Sequence, residues 1–247
     1  MTDLARERIE PLLRGRFGRP YLHESSVATT QLLVPSDGPE GAVATADHQD
    51  AGRGRHGRAW VDAPGTALLV SVLLRPPPGA VAAQLSLVCA LSVADAVEAE
   101  TSLEARLKWP NDVLVDGRKV AGILLDGRGD AVVCGIGVNV NQSADDLPAD
   151  ARTEPASLRS LTGVAHDRGG LLVMLLERLE TRYDTWRGRG LAPLLPALER
   201  RDALRGRPVT VGDVSGTAAG LAPDGRLRVV DAAGTEQLVA SGEVEQT

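Results

Sequence analysis

"KWPNDVLVDGRKVAGILLD", Lys108 to Asp126, decides how the rest of the chain reads. Three β-type runs meet in or beside it: Leu103 to Trp109, Val113 to Val115 and Lys119 to Leu125. Asp116-Gly117 separates the last two and is a hairpin-type turn, since both residues tolerate positive φ. A fourth run, Ala131 to Val140, follows a second turn at Gly127 to Asp130. Apolar runs this short, punctuated this tightly, make an antiparallel meander rather than helices. The reading places Lys108 and Lys119 on strands joined by one short connection, so that both ammonium groups face one pocket.

Upstream, "DHQDAGRGRHGRAW" (47 to 60) contains Gly-x-Gly-x-x-Gly, the spelling of a dinucleotide-binding loop. Such a loop must follow a strand and open a helix. Gly41 to Gln49 reads as a strand, but Pro64-Gly65 breaks any helix after Arg58 at once. No helix dipole then faces a phosphate, and arginine side chains supply the positive charge instead. The loop keeps the anion and loses the dinucleotide.

Outward from these segments, residues 4 to 14 form a short helix and Gly15 to Pro20 a connector. Val27 to Val34 enters a helix, Ala67 to Arg75 is a strand closed by three prolines, and Ala80 to Glu100 carries Val81, Leu85, Val88 and Leu91 at helical spacing. Gly169 to about Arg189 is helical, and a second short helix covers Leu191 to Leu204. After Arg205 the texture changes to short strands at Pro208 to Val211, Gly216 to Leu221, Arg226 to Asp231 and Glu236 to Ala240, as in a small barrel.

The chain of 247 residues is 43% hydrophobic and 24% charged, an ordinary globular composition. Its net charge of -6 argues against non-specific binding to nucleic acid or anionic membrane, so any positive site is local. No apolar run approaches the ~20 residues of a membrane span, and a secretory signal is lacking; the expected location is the cytoplasm. Cys89 and Cys134 lie in apolar surroundings without metal-ligand spacing and read as reduced packing residues.

Taken singly, the polar features have plain readings: a lysine at a strand start is a solvated edge charge, Trp60 and Trp109 are packing residues, and His56 is a positioned loop residue. Gly135 and Gly137 within a strand permit close packing or the approach of a ligand. Taken together, Arg55, Lys108 and Lys119 suit two anionic substrates whose repulsion, ~4 kcal/mol per charge pair at 4 Å and an effective dielectric of about 20, must be neutralised.

"GRGRHGRAW", "KWPNDVLVDGRKVAGILLD" and "GIGVNVN", in this order and spacing, closely resemble the biotin-protein ligases, over about residues 21 to 245. The resemblance implies an α/β (α+β) fold: a mixed, largely antiparallel sheet with helices, similar to class II synthetase and biotin-lipoate ligase domains. This catalytic domain would span 21–204, after an N-terminal helix and connector over 1–20 and before an SH3-like small β-barrel over 205–247.

It also implies a two-step reaction. A biotin carboxylate attacks the α-phosphate of ATP to give biotinyl-AMP, with Mg²⁺ screening the phosphates; a carrier-protein lysine then takes the biotin. By motif, Arg55, Lys108 and Lys119 are the catalytic cations. Thr29, Thr30, Gln49, Gly52, Arg53, Arg55, Lys119 and Gly122 contact biotin. Arg55, Trp60 (on adenine), Lys108, Asn111, Asp112 and Asn139 (reading the exocyclic amine) contact the nucleotide, and Asp112 meets a metal or a water. The family's Ser-Thr-Asn ureido segment becomes Thr29-Thr30-Gln31, which retains the hydroxyls and leaves Gln31, one carbon longer, outside the assigned contacts.

The implied partner is a biotin carboxyl carrier protein or domain of a biotin-dependent carboxylase, with neither nucleic acid nor membrane; a homodimer is compatible with the sequence but not fixed by it. Only about 20 residues precede Tyr21, too few for the DNA-binding domain that some members carry. Two alternatives stand beside this reading. A lipoate or octanoate ligase shares the fold but lacks the arginine loop, and a non-catalytic biotin or nucleotide sensor would not require all three cations.

Overall fold

The computed structural model describes residues 2–149 and 151–246. Its first sheet has seven strands: β1 (Tyr21–Glu24), β2 (Val43–Ala46), β3 (Ala67–Leu74), β4 (Ala105–Lys108), β5 (Asp112–Val115), β6 (Arg118–Arg128) and β7 (Ala131–Asn139). They lie in the order β1-β2-β3-β7-β6-β5-β4, parallel between β1 and β2 and antiparallel elsewhere. The sheet is therefore mixed and largely antiparallel, as the meander predicts. Residues Ala67 to Leu74 read as an unbroken apolar run because β3 is buried along its whole length. The strand expected over Gly41 to Gln49 is confined to Val43–Ala46, where it meets β3.

One face of the sheet is covered by α3 (Gln84–Thr101) and α5 (Arg168–Arg189), which also pack on each other. The short helices are α1 (Arg6–Ile9), α2 (Thr30–Leu33), α4 (Leu158–Thr162) and α6 (Leu195–Arg200). On β7, Cys134, Ile136 and Val138 point into the main core beneath the helices, so the period-two alternation turns Gly135, Gly137 and Asn139 to the opposite face. Cys134 and Cys89 on α3 are free and buried with their sulfurs 3.0 Å apart.

Several element ends differ from expectation for local reasons. α3 begins at Gln84 rather than Ala80, because the chain uses Ala80 to Ala83 to turn back onto the sheet after the prolines; Val81 lies outside the helix and is 52% exposed. α1 gives way to a 3₁₀ turn at Glu10–Leu12, where Pro11 has no N–H to continue the helix. The helix expected over Leu191 to Leu204 stops at Arg200, and Arg201 and Ala203 instead bond Leu107, covering the outer edge of β4.

The second sheet comprises β8 (Pro208–Val211), β9 (Val214–Leu221), β10 (Leu227–Val230), β11 (Glu236–Val239) and β12 (Glu245–Gln246), in the antiparallel order β11-β10-β9-β8-β12. The expected short strands are present. β12 was not foreseen, since two residues carry no periodicity. Its pairing with β8 brings Gly242, Glu243 and Val244 to the first sheet's open face, where all three line the pocket.

Candidate active site

A pocket of about 520 Å³ sits on the face of the first sheet away from α3 and α5. Its floor is two rows of residues crossing the strands. In the first, Lys108 (β4) faces Asp112 (β5), which faces Gly122 (β6), Gly137 (β7) and Leu69 (β3) in turn. The second, two residues along, runs Leu124 and Gly135 and ends on Ser71 of β3, which is fully buried behind the lining. Antiparallel pairing puts every member of a row on one face, so these chemistries are gathered by register alone.

Lys119 reaches that face through a defect. Simple alternation from Gly122 would turn residue 119 toward the helices. The register of β5 and β6 shifts between Val113 and Leu114, so that Ala121 faces Val113 but Lys119, not Val120, faces Leu114. This bulge inserts Val120, which is fully buried, and re-aims Lys119 into the pocket. Lys108 and Lys119 are thus not joined by one short connection, as expected; β5 runs between them, and the bulge restores their common face. Both share Asp112, whose Oδ1 lies 2.7 Å from Lys119 Nζ without a well-aligned hydrogen bond. Burial lowers the pKa of the Lys108 ammonium, Asp112 pulling it back up and Lys119 pushing it further down. Lys108 Nζ also donates to Thr153 Oγ1 at 2.9 Å.

The two strand glycines are explained by what lies on them. A methyl at Gly137 would sit 2.5 Å from Trp60 Cε2 and Cζ2, and one at Gly122 would meet Trp60 and the Lys119 ammonium. Trp60 is therefore laid into a notch in the sheet, its ring centroid 5.9 Å from Lys119 Nζ. Its buried Nε1 finds no acceptor among the described residues.

The arginine loop folds as a tight hairpin beside this notch. Trp60 N–H donates to Gly52 O at 2.9 Å, Gly54 N–H to Arg58 O at 2.7 Å and Arg58 N–H to Arg55 O at 3.2 Å. A side chain at Gly52 would come within 2.5 Å of Trp60 O, so only glycine admits this closure. A 3₁₀ turn at Arg55–Gly57, with His56 left-handed, occupies the tip and confirms that no helix follows the loop. Arg55 Nη1 donates to Asn111 Oδ1 at 3.1 Å, and Asn111 Nδ2 to Ile123 O at 3.0 Å, fixing the amide. Arg53 is exposed at the rim. His48 Nδ1 and Asp62 Oδ2, 2.8 Å apart, tie the two roots of the loop together.

At the opposite end of the pocket, Thr29 caps α2 and Thr30 starts it. Gln49 Oε1 accepts from Thr30 N at 2.7 Å and Oγ1 at 3.1 Å, so its Nε2 is left facing outward; Thr30 Oγ1 also meets Ser71 Oγ at 2.8 Å. Gln31, outside the expected contacts, is part of this wall. Asn139 is buried, donates to Ala156 O at 3.1 Å and accepts from Gln142 Nε2 at 3.0 Å, which leaves it one free lone pair.

All the residues singled out by motif line this pocket except Gly52, which supports it from behind. Sequence reasoning gave no role to Arg58, Arg152, Thr153 and Glu243, which also line the pocket, nor to Ser71, which lies behind the lining against Thr30. Ser71 is the one polar residue in "ALLVSVLL", a signal that was there to be read. Arg152 and Glu243 carried none: Glu243 pairs with Arg58, and with Arg152 at 2.8 Å, from the far end of the chain. Among the described residues, six cationic side chains (Arg53, Arg55, Arg58, Lys108, Lys119, Arg152) then line the pocket against two carboxylates, Asp112 and Glu243, in a chain of net charge -6. Such an excess suits a polyanion. Among the described residues no three His, Cys, Asp or Glu side chains are grouped to hold a metal ion, and no helix is long and apolar enough to cross a membrane.

Residues 25–141 match the Biotin/lipoate A/B protein ligase family, and 206–245 match the Biotin protein ligase C terminal domain. The chain is 38% identical to the biotin--[acetyl-CoA-carboxylase] ligase of Mycobacterium tuberculosis, over 99% of this chain and 98% of that protein. It is 34% identical to the bifunctional ligase/repressor BirA of Bacillus spizizenii over 72% of this chain, but spans only 58% of that longer relative. Among solved structures, the biotin protein ligase from Aquifex aeolicus in complex with biotin and ATP superposes with a TM-score of 0.83 at 30% identity, covering 92% of this chain and 98% of that one.

Proposed function

Because the chain belongs to the biotin protein ligase family, we propose that it is an ATP-dependent enzyme that joins biotin to a lysine of a biotin carboxyl carrier protein or domain, acetyl-CoA carboxylase being the nearest candidate. Its working unit is the catalytic domain over 21–204, with 205–247 as a small C-terminal domain and 1–20 as a connector; it acts in the cytoplasm, without nucleic acid.

The observation that carries this reading is the convergence of Arg55, Lys108 and Lys119 on one pocket beside a polar, enclosed end formed by Thr29, Thr30 and Gln49. A biotin carboxylate oxygen attacks the α-phosphorus of ATP, and pyrophosphate leaves with the electron pair of the broken P–O bond. The carrier amine then attacks the carbonyl of the mixed anhydride, AMP leaves, and the amine gives up a proton. Neither step needs a covalent enzyme nucleophile. Lys119 and Arg55 hold the carboxylate and α-phosphate together and take up the charge that grows between them, while Lys108 holds the outer phosphates. Trp60 packs on the adenine and Asn139 accepts from its amine. Gly52 and Gly122 let biotin approach the backbone, and Arg53 closes over it.

Before substrates arrive, Asp112 neutralises Lys119, so the ammonium need not sit unpaired in a half-buried position. An arriving carboxylate or phosphate takes Asp112's place, which frees a carboxylate beside the phosphates. One carboxylate fits Mg²⁺, which keeps several waters and binds largely through substrate phosphates. Asp112 is the residue that would hold it, with Asn111 alongside, and the ion would screen phosphate charge.

The test is biotin-dependent exchange of labelled pyrophosphate into ATP, run beside lipoate and octanoate. Exchange with biotin alone is expected. Exchange with lipoate would move the chain to the sister activity, and none with any acid would leave a sensor.

A further inference from the structure

Gln142 lies just past β7, is fully buried and does not itself line the pocket. Its Nε2 donates to Asn139 Oδ1 at 3.0 Å, while its Oε1 is buried without a partner among the described residues. A buried acceptor left unpaired is destabilising, and an apolar side chain of the same size would avoid it. Turning the amide over does not help, since Oε1 would then face Asn139 Oδ1, acceptor against acceptor. Asn139 therefore sets the orientation of Gln142 at the expense of the Gln142 oxygen. The backbone is held separately: Gln142 O accepts from Ser157 Oγ at 2.7 Å, and Ser157 caps α4.

Asn139 is clamped from its other end. Ala156 O, 3.1 Å away, can only accept, so the group facing it is Nδ2; Lys119 O also accepts from Nδ2, at 3.5 Å. Those two carbonyls belong to segments that hold each other, Lys119 N–H donating to Glu154 O at 2.7 Å and Ala156 N–H to Lys119 O at 2.9 Å. Oδ1 is thus turned away from them, and Gln142 pins it there. With Nδ2 committed to carbonyls and one lone pair of Oδ1 taken by Gln142, Asn139 offers the pocket its second lone pair, an acceptor and no donor.

We infer that Gln142 is a positioning residue that makes this site read an amino group, rather than a carbonyl, at the six-position of the purine. The inference rests on Asn139 meeting the adenine amine and goes beyond it by assigning the amino-versus-oxo choice to a residue that touches no ligand. An adenine N–H donates into the free lone pair of Oδ1. Hypoxanthine has a carbonyl at that position, and two acceptors would face each other in a desolvated site, where an unpaired polar group discriminates strongly. An asparagine tied at one end only can rotate and present Nδ2 to that carbonyl; tied at both ends it cannot. Gln142 supplies the second tie.

The experiment is biotin-dependent pyrophosphate exchange with ATP and ITP, for wild type and for Gln142→Met, which keeps the length and loses the donor. Competition of the two nucleotides in one tube gives the ratio of their kcat/KM values, and each nucleotide alone divides it between KM and kcat. Wild type is expected to prefer ATP strongly. In Gln142→Met the ATP-to-ITP ratio should fall about tenfold, through a higher KM for ATP with its kcat nearly unchanged. Because one enzyme sample serves both nucleotides, the ratio does not depend on how much of a variant is folded. Gln142→Asn, whose amide is one carbon too short to reach Asn139, requires the same fall. A merely structural role would slow both nucleotides alike, and an unchanged ratio in either variant overturns the inference. If wild type shows no exchange with biotin, the ligase reading fails first and the inference with it. If it uses ATP and ITP equally, the role of Asn139 fails and takes the inference with it. If wild type prefers ATP and the variants keep that preference, the inference alone fails.

Discussion

The pocket's cations stand on two kinds of backbone. Lys119 projects from β6, which is hydrogen-bonded to β5 on one side and β7 on the other, and Lys108 from a strand whose outer edge is covered by Arg201 to Ala203. Arg53, Arg55 and Arg58 project from a hairpin closed by three backbone bonds and steadied at its tip by Asn111 and Glu243. Sheet residues are placed before a ligand arrives, since moving them would break ladders on both sides. Loop residues are held by contacts that a ligand can replace. The difference predicts a division of labour in which the strand lysines supply preorganised charge for the chemical step, Arg53 and Arg58 cover and retain the intermediate, and Arg55, held on Asn111, joins the lysines once the loop has closed.

The sharpest way to break this division is to compare Lys119→Ala with Arg58→Ala. The first is expected to cut biotin-dependent pyrophosphate exchange by roughly 10³-fold, as loss of a transition-state charge contact does. The second, removing an exposed ion pair, should cost a few-fold at most; equal losses would abolish the distinction.

Next in size is Gly137→Ala. Its methyl would lie 2.5 Å from the Trp60 ring, so the indole must leave its notch, and overpacking of this kind costs about 1–3 kcal/mol. Affinity for ATP should drop by roughly ten- to a hundredfold on that scale, measured by calorimetry, with indole fluorescence reporting the displacement. An unmoved Trp60 would show that the sheet does not set the nucleotide wall.

Lys108 sharpens the comparison through pH. Its pKa lies below the ordinary lysine value because of burial. A lysine loses its charge as pH rises, so the KM for ATP should climb at a lower pH than an unshifted lysine would allow. Lys108→Arg, which stays charged, should move that alkaline limb upward; an unchanged limb would remove Lys108 from the phosphate site.

The smallest expected effect is on the loop's cover. Proteolysis near Arg53 should slow several-fold when biotin and ATP are present. Glu243→Gln, which removes the partner of Arg58 and Arg152, should speed cleavage of the empty enzyme by only ~2- to 5-fold, in keeping with a partly exposed pair. Cleavage indifferent to both would mean that the loop is as fixed as the sheet.

Local chemistry made much of this legible. Asp116-Gly117 forced a hairpin, and the apolar runs around it forced the meander; Pro64-Gly65 denied the arginine loop a helix. The motifs "GRGRHGRAW" and "KWPNDVLVDGRKVAGILLD" mark Arg55, Lys108 and Lys119 from the sequence alone. Gln31 shows where such reading stops: compared with a Ser-Thr-Asn pattern it looked out of place, and only Gly135, 104 residues later in the same chain, shows the slot that receives it, since a methyl there would be 3.1 Å from Gln31 Nε2.

What the sequence determined by itself was therefore the set of local commitments: which runs become strands, where the turns fall, and which side chains are too polar for packing alone. Tertiary structure decided which of them meet. The bulge at Val120 that turns Lys119 over, the notch that seats Trp60 on Gly137, and the return of Glu243 to Arg58 each join segments whose spacing along the chain carries no signal. Register, close packing and long-range charge pairing are properties of neighbours in space, and they exist only once the sheet has brought those neighbours together.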